Sequence, residues 1–360
     1  MEEYWEWLCS IPNLYRTQKE LLLKCFKNPG ELFFATENEL NYLREKGCKW
    51  AESILKWKKK DPQEVIAANR EAGILFVSAE NEAYPERLHK LTDYPYGLFY
   101  KGDLPQEEKK AVAIVGARMC TREGKETASL IAESVCKNGG IVLSGGALGI
   151  DGAAQWSAMD HGGYSCAVYG CGADICYPSS HQILYERLCR QGCVISEFAP
   201  GTPAKPNHFP VRNRIISGLS DVVVVVEARK KSGSLITADF AASQGKNVFA
   251  VPGRPGDELS AGCNELINQG AGILLSVDEF SRTIFPENTK IIGSSTLDFT
   301  LAPSEKLVYS SLDLHSKSLW ELMERTSLSI EELGTALLSL ELRGLVRETD
   351  RNYYARFPQN

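Results

Sequence analysis

The chain has 360 residues, of which 43% are hydrophobic and 24% charged, and its formal net charge is −6. This length exceeds one ordinary core and predicts two or three domains of a soluble globular protein. No apolar run approaches the roughly 18 residues that span a bilayer. The acidic start MEEYWEWLCS is unlike a secretion signal, so we expect a cytoplasmic protein without membrane contact. The negative charge excludes coating of nucleic acid through bulk charge, and any nucleic-acid site must be a local patch.

The eleven cysteines follow no disulfide-scaffold spacing and predict free thiols. Cys171, Cys176, Cys189 and Cys193 form a C-x4-C and a C-x3-C pair. Zinc sites prefer tighter pairs within a compact finger, so we interpret these four residues as small buried hydrophobes. A metal site is the weaker alternative.

The first segment, residues 1–70, is predicted to form a domain of short helices. Leu21, Leu22, Leu23 and Phe26 make one apolar face, and residues 28–30 (NPG) break the pattern. Small bundles of this kind include SAM-like and helix-hairpin-helix DNA binders, and a packing or partner module fits equally well. Residues 75–105 then predict an extended connector that packs on the main domain.

The main domain, residues 71–285, is predicted to be a doubly wound, mostly parallel α/β sheet. Apolar runs rich in β-branched residues alternate with segments of helical period. Strands that are apolar on both faces indicate a parallel sheet covered by helices on both sides. The predicted strands are AVAIVG (111–116), IVLSGG (141–146), YSCAVYGCG (164–172), CVIS (193–196), DVVVVVEA (221–228), NVFAVPG (247–253) and ILLSV (273–277).

The last part of the chain predicts a linker at 286–303 and a winged-helix domain at 304–360. Residues 329–332 (SIEE) form a capping box that opens a helix, and LVRE and YYARF predict a two-stranded wing. The helix carries Glu331, Glu332 and Glu341 against only Arg343. Such a helix would repel phosphates, which favours a protein-contact or stabilising role over duplex reading.

Three regions near strand ends have the character of phosphate-binding loops, because ligands of doubly wound sheets bind beyond the carboxyl ends of the strands. In the first, Gly116 permits a tight turn and Arg118 offers a planar fork for phosphate oxygens, although a surface ion pair is the alternative. The second is glycine-rich and precedes a helix N-terminus, where Asp151 also fits an N-cap. Its candidate residues are Ser144, Gly145, Gly146, Ala147, Gly149 and Asp151.

The third region couples residues 209–221, before a central strand, to residues 231–241, after it. Lys205 and the basic residues 229–231 make this the one concentrated positive region, although a solvated charge run is the alternative for 229–231. Its candidate residues are Lys205, Arg212, Asn213, Arg214, Ser232, Gly233, Ser234 and Thr237.

No catalytic constellation accompanies these loops. The sequence contains no G-x-G-x-x-G fingerprint and no P-loop ending, which argues against a dinucleotide-dependent oxidoreductase. The histidines follow no metal-ligand spacing, and no Ser/His/Asp or Cys/His set is evident. We therefore expect a binding protein that is not an enzyme and that uses no cofactor and no metal.

The motifs VAIVGAR, SGGALGIDGAA, AVYGCGADICYPSS, HFPVRNRIISGLSD and KSGSLITADFAASQGKNVFAVPG resemble those of the bacterial DNA-processing protein A (DprA/Smf) family. The resemblance implies an extended Rossmann fold that binds single-stranded DNA, forms a homodimer and loads the recombinase RecA in natural transformation. It assigns Arg118, the second loop, the R-N-R segment at 212–214 and the third loop to DNA binding. Ala117 stands where the family has Ser, and Ser179 where some members have Lys.

Two functions from different classes follow. A mediator that holds single strands by their phosphates predicts weak sequence preference and affinity that falls steeply with salt. The alternative is a nucleotide-processing enzyme, similar to phosphoribohydrolases with the motif P-G-G-x-G-T-x-x-E. The nearest stretch here, residues 252–260, lacks the threonine and the final glutamate, which favours the mediator.

Overall fold

The computed structural model describes residues 1–45, 50–286, 301–313 and 316–357. The chain forms two compact units, Met1–Pro286 and Glu287–Asn360. The predicted helical and Rossmann domains both fall in the first unit, and the boundary between them stays a prediction. Most of the predicted linker lies outside the described residues. None of the described helices is long and apolar enough to span a membrane.

Up to Glu71 the described residues form short helices joined by turns, as the sequence predicts. Two of the helices begin with a side-chain cap followed by proline, Asn28 before Pro29 and Asp61 before Pro62, which satisfies orphan backbone amides. Their apolar faces enclose a core that includes the fully buried Trp7. The helices are α1 Glu2–Cys9, α2 Arg16–Cys25, α3 Pro29–Phe34, α4 Glu37–Glu45, α5 Ala51–Trp57 and α6 Pro62–Glu71.

A nine-stranded sheet follows, in the order β1-β2-β6-β5-β4-β3-β7-β8-β9. Pairing is parallel from β6 through β9, whereas β1 and β2 are antiparallel additions at one edge. The strands are β1 Leu75–Ser78, β2 Gly97–Gly102, β3 Ala111–Val115, β4 Ile141–Ser144, β5 Tyr164–Tyr169, β6 Cys193–Ser196, β7 Val222–Val225, β8 Asn247–Ala250 and β9 Gly272–Ile273. The doubly wound, mostly parallel α/β fold is therefore confirmed, and the connector supplies β1 and β2.

The sequence-based prediction of a strand at 273–277 is wrong in extent. Strand β9 ends at Ile273, and Ser276 caps a helix that begins at Val277 by accepting a hydrogen bond from the Glu279 amide. A serine before two acidic residues is a helix start, and this local signal outweighs the apolar run before it.

Helices cover both faces of the sheet. Alternate strand residues point to opposite faces, so that Val223 and Val225 of β7 join one core cluster and Val222 and Val224 join another. The helices of this region are α7 Glu86–His89, α8 Arg122–Lys137, α9 Ile150–Asp160, α10 Gln182–Gln191, α11 His208–Leu219, α12 Gly233–Ser243, α13 Ala261–Asn268 and α14 Val277–Ile284, with a 3₁₀ turn at Ser179–His181.

The second unit is a helical module with a three-stranded sheet in the order β10-β12-β11. Its elements are α15 Pro303–Ser311, β10 Lys317–Ser318, α16 Leu319–Thr326, α17 Ile330–Leu342, β11 Val346–Asp350 and β12 Tyr353–Arg356. The predicted capping box at Ser329 and the predicted β-wing are both present. A winged helix is therefore confirmed for this part of the chain.

Candidate nucleic-acid interface

A cleft of about 290 Å³ lies at the carboxyl edge of the sheet. It opens between the loops that follow β3 and β7, where the winding of the sheet reverses direction, and such crevices are the usual ligand sites of this fold. Ten of the predicted residues line it, namely Gly116, Arg118, Ala147, Asp151, Arg212, Asn213, Ser232, Gly233, Ser234 and Thr237.

Arg118 is the exposed cation of the cleft. Its guanidinium carbon lies 5.1 Å from the centre of the Phe209 ring, so the aromatic face supports the planar group. Arg118 forms no ion pair with a carboxylate of the described residues, which removes the surface ion pair that was the alternative interpretation. Its hydrogen-bond donors therefore stay open to an anion that enters the cleft.

Asp151 organises the second loop from within. Its Oδ2 atom accepts hydrogen bonds from the amides of Gly145 (3.0 Å) and Ala147 (3.4 Å), and its side chain is buried. Burial raises the pKa of this carboxyl, while the nearby Arg212 charge and the two amides act in the opposite direction. These contacts hold the glycine-rich loop in place. Asp151 therefore positions the loop that faces the cleft.

Arg212 lies beneath the same loop. Its Nη1 atom donates to the carbonyl oxygens of Gly145 (2.6 Å) and Val168. Burial lowers its pKa to about 10, which still leaves the guanidinium charged at neutral pH. A fixed positive charge therefore lies in the floor of the cleft, below the loop that it supports.

The N-terminus of α12 forms the opposite wall. Ser232 is its N-cap, and the Ser232 and Ser234 hydroxyl oxygens lie 2.8 Å apart. Asn213 donates from Nδ2 to the carbonyl oxygen of Gly233 (3.1 Å), which ties this wall to α11. First-turn amides of a helix have no intrahelical partner and carry partial positive charge, so this wall also favours an anion.

Four residues of the second loop support the cleft without lining it. Ser144 is fully buried and donates from Oγ to the Ile114 carbonyl oxygen (2.7 Å). Gly149 has a φ of 81°, a conformation that favours glycine, and a Cβ there would lie 2.3 Å from the Ala117 carbonyl oxygen. Gly145 and Gly146 complete this set.

The interpretation of residues 209–221 as a strand-end loop is wrong, because most of this segment belongs to α11. Its three candidate residues, Arg212, Asn213 and Arg214, are all buried, and of these only Arg212 and Asn213 line the cleft. Arg214 instead pairs with Glu197 (2.5 Å) and Asp93 (3.1 Å). The structure therefore gives Arg214 a structural ion pair in place of the predicted position at the cleft.

Lys205 is also absent from the lining of the cleft. Its Nζ atom donates to the Asn13 side-chain oxygen (3.4 Å), which connects the turn after α1 to the chain before α11. In the predicted positive region at residues 229–231, Arg229 also has a partner outside the lining of the cleft. Its Nη2 atom lies 3.8 Å from Glu258 Oε2.

Two aromatic residues at the cleft escaped the sequence analysis. Phe209 lines the cleft, and Tyr177 is partly exposed with its ring centre 5.4 Å from that of Phe209. Their signal in the sequence was an aromatic residue directly before proline in both Tyr177-Pro178 and Phe209-Pro210. Stacking on exposed aromatic rings is a common way to hold single-stranded bases.

The four cysteines considered for metal binding do not converge. Cys171 and Cys193 are buried in different core clusters, and Cys176 and Cys189 are packed against the cluster that contains Cys171. Burial raises the pKa of the Cys171 thiol to about 12. Within the described ranges, no group of three or more Cys, His, Asp or Glu residues could hold a metal. The packing favours small hydrophobes.

Comparison with known proteins gives the same family over both units. The family model for DNA recombination-mediator protein A matches residues 75–285, and the DprA winged helix domain matches residues 298–350. The DNA processing protein DprA of Streptococcus pneumoniae is 41% identical over 54% of this chain and 69% of its own length. That of Bacillus subtilis is 37% identical over 63% and 76%.

Solved structures agree with this assignment. The DNA processing protein A of Streptococcus pneumoniae superposes with a TM-score of 0.66 at 32% identity, over 78% of this chain and 96% of that one. That of Helicobacter pylori, described for its single-stranded DNA binding mode, gives a TM-score of 0.55 at 30% identity, over 60% and 98%. On the shared motifs, the cleft at the sheet edge and the winged helix, this chain belongs to the DNA recombination-mediator protein A (DprA/Smf) family.

Proposed function

We propose that this protein binds single-stranded DNA in the cleft at the carboxyl edge of the sheet. The main support for this proposal is the position of Arg118. Its exposed guanidinium stacks on the Phe209 ring and pairs with no carboxylate of the described residues. Phosphate oxygens would accept from Arg118 and from the amides at the start of α12, above the buried charge of Arg212. The rings of Phe209 and Tyr177 offer surfaces on which bases stack.

The Helicobacter pylori relative supports the choice of single strands, because that protein is described by its single-stranded DNA binding mode. Shape and charge support it as well. A cleft with few cations in a chain of net charge −6 suits a short stretch of flexible strand more than the regular charge array of a duplex.

Membership of the family supports a wider role. We infer that the protein acts in recombination during natural transformation, where it protects incoming strands and loads RecA onto them. The description of the family as a recombination mediator supports this role. We also infer a homodimer. Ile273 on the edge strand β9 and Leu275 after it are exposed apolar residues that support a contact there, and light scattering at micromolar concentration tests it.

We further propose that the cleft binds without catalysing a reaction. Among the described residues that line it, Asp151 is the one acid, and its Oδ2 atom is engaged by two backbone amides. A general acid or base needs access to the reacting atoms, which this buried carboxylate lacks. Release of free base from nucleoside monophosphates would contradict this part and restore the phosphoribohydrolase alternative.

The direct test replaces Arg118 by alanine and measures binding to a fluorescent single-stranded oligonucleotide and to its duplex. We expect the wild type to prefer the single strand, and Arg118→Ala to bind it roughly tenfold or more weakly, the magnitude of one charged hydrogen bond. Arg122→Ala is the matched control, because Arg122 is a nearby exposed arginine already paired with Glu126 at 2.8 Å. We expect this control to bind like the wild type.

Equal binding by Arg118→Ala and the wild type would refute the cleft as the DNA site. A comparable loss in Arg122→Ala would show that general surface charge, and not the fork at Arg118, drives association. Thermal unfolding of both variants shows whether they remain folded, which we expect since both side chains are exposed.

A further inference from the structure

A second cavity, of about 420 Å³, lies on another face of α11. His208, Val211 and Arg214 recur at three-residue spacing and line it, whereas Arg212 and Asn213 line the DNA cleft. Its other walls come from the turn between α1 and α2, from α2 itself and from the segment after β6. A cavity of this size falls in the range that holds small organic ligands.

Arg214, one of the residues that line this cavity, has an unused donor. Its Nε atom faces Asp93 at 3.1 Å and its Nη2 atom donates to Glu197 at 2.5 Å. Its Nη1 atom is buried and has no hydrogen-bond partner among the described residues. A buried guanidinium N–H without an acceptor is costly, which points to an acceptor that the protein itself does not supply.

Lys19 is a second buried cation on the wall of the same cavity, with only 4% of its surface exposed. Its neighbour is the Cys9 thiol, and burial raises the pKa of that thiol, so that it stays neutral. The carboxylates of the described residues form no ion pair with Lys19. A buried ammonium is rare without a charged partner.

The two buried cations at the cavity differ in their partners. Lys19 and Arg214 are opposed by one buried carboxylate, Glu197. Nearer to solvent, Arg16 is paired with Glu20 at 3.1 Å, and Asp93 is half-exposed. Arg214 pairs with both Glu197 and Asp93, whereas Lys19 pairs with no carboxylate of the described residues, and its uncompensated charge suits a ligand with a single negative charge.

Much of the remaining wall is apolar. Ile11, Leu14, Phe198, Ala199 and Val211 contribute to it. A bare inorganic anion would leave these side chains facing empty space, whereas an organic anion would cover them. We propose that the second cavity binds a small monocarboxylate with an apolar body, whose carboxylate accepts hydrogen bonds from Lys19 Nζ and Arg214 Nη1. This site is separate from the DNA cleft and does not rest on its function.

The probe is 4-fluorobenzoate, titrated into the full chain and followed by fluorine NMR. We expect saturable binding to the wild type at a Kd of about 1 mM or below. The neutral isostere 4-fluorobenzamide should bind at least roughly tenfold more weakly, because it lacks the charge that the cations select. Lys19→Met keeps the length of the side chain and removes its charge, and it should weaken 4-fluorobenzoate roughly tenfold and leave the benzamide unchanged.

Two further variants distinguish binding in the second cavity from binding elsewhere on the protein. Lys24→Met is the matched control, because Lys24 is an exposed residue of the same helix that pairs with Glu20, and it should bind the probe like the wild type. Val211→Trp places a large ring into the cavity from a partly exposed position, and it should abolish binding of both probes. If Lys19→Met does not fold, Val211→Trp still tests the proposal.

The proposal fails if 4-fluorobenzoate shows no saturable binding up to about 10 mM. It also fails if folded Lys19→Met or folded Val211→Trp binds this probe like the wild type. Tighter binding of phenyl phosphate than of 4-fluorobenzoate would overturn the carboxylate class. Retention of single-stranded DNA binding in Lys19→Met would show that a loss of probe is local to the second cavity.

Discussion

Gly145 lies where three buried polar atoms converge. A Cβ at this position would be 2.7 Å from Arg212 Nη1, from Arg212 Nη2 and from Asp151 Oδ2. Both of these side chains are held by hydrogen bonds to the same loop, so neither can withdraw easily. Glycine is therefore required at this position by the close approach of these two side chains.

This crowding predicts a cost for the smallest possible substitution. We expect Gly145→Ala to lower the free energy of unfolding by about 1 to 3 kcal/mol, the usual cost of overpacking. Gly233→Ala is the control, since a Cβ there meets no atom within 4 Å, and alanine at a helix start should leave stability unchanged or slightly higher. Chemical denaturation followed by circular dichroism measures both, and equal midpoints for Gly145→Ala and the wild type would contradict this picture.

The locations of individual side chains were harder to predict from the sequence than the fold was. Arg212 and Arg214 are two residues apart and looked equivalent, but they point to different faces of α11. The partners of Arg214, Asp93 and Glu197, are distant in the chain, and only the folded sheet brings them together. Arg118 was easier to assign because the end of a parallel strand fixes its location.

At the scale of elements, α17 shows how local chemistry sets a helix boundary. Ser329 Oγ accepts a hydrogen bond from the Glu332 amide at 3.3 Å, and the Glu332 carboxylate accepts from Ser329 in return. This reciprocal arrangement satisfies amides that the helix itself cannot. Glu331 and Glu332 place negative charge in the first turn of α17, where it interacts favourably with the helix dipole. The same charge opposes phosphate binding at the N-terminus of α17.

We expect Ser329→Ala to lower the free energy of unfolding of the second unit by about 1 kcal/mol. The substitution removes the hydroxyl that accepts from the Glu332 amide and donates to its carboxylate. Ser310→Ala in α15 is the control, because that exposed hydroxyl only donates to the Leu307 carbonyl oxygen, and it should change stability by less than about 0.5 kcal/mol. Calorimetry of the full chain compares the two, and equal effects would argue against the cap.

Elements with a strong local pattern of apolar residues were predicted well. The parallel strands are short apolar runs because both faces are covered, and this pattern cannot be confused with an exposed strand. Helix α11 was missed because it is buried and yet rich in polar residues, with Pro210 at its third position. Proline is compatible with the first turn of a helix, but in the sequence it indicates a break.

For the whole molecule, the surface charge limits how DNA can bind. With a net charge of −6, the chain repels a polyanion everywhere except at local positive features. In the proposed binding mode, affinity depends on the few phosphates that would contact cations in the cleft. The number of those phosphates sets how steeply affinity falls with salt, at about 0.7 in the logarithmic slope for each phosphate of a single strand.

We therefore expect Arg118→Ala to reduce the salt slope of oligonucleotide binding by about 0.7 for each phosphate that Arg118 neutralises in the wild type. Arg122→Ala should keep the wild-type slope, because Arg122 pairs with Glu126 away from the cleft lining. Binding titrations at several salt concentrations give the slopes directly. A slope for Arg118→Ala equal to that of the wild type would mean that Arg118 binds no phosphate.

Most amphipathic helices have a solvent face on which substitutions accumulate without consequence. Helix α11 has almost no such face, because nine of its twelve residues are buried and the cleft at the sheet edge and the second cavity lie on different sides of it. A one-residue insertion or deletion would rotate the downstream part of the helix by about 100° and exchange the surroundings of its arginines. Tolerance to mutation in this protein should therefore reach a minimum along α11, whose side chains pack against the sheet or line one of the two cavities.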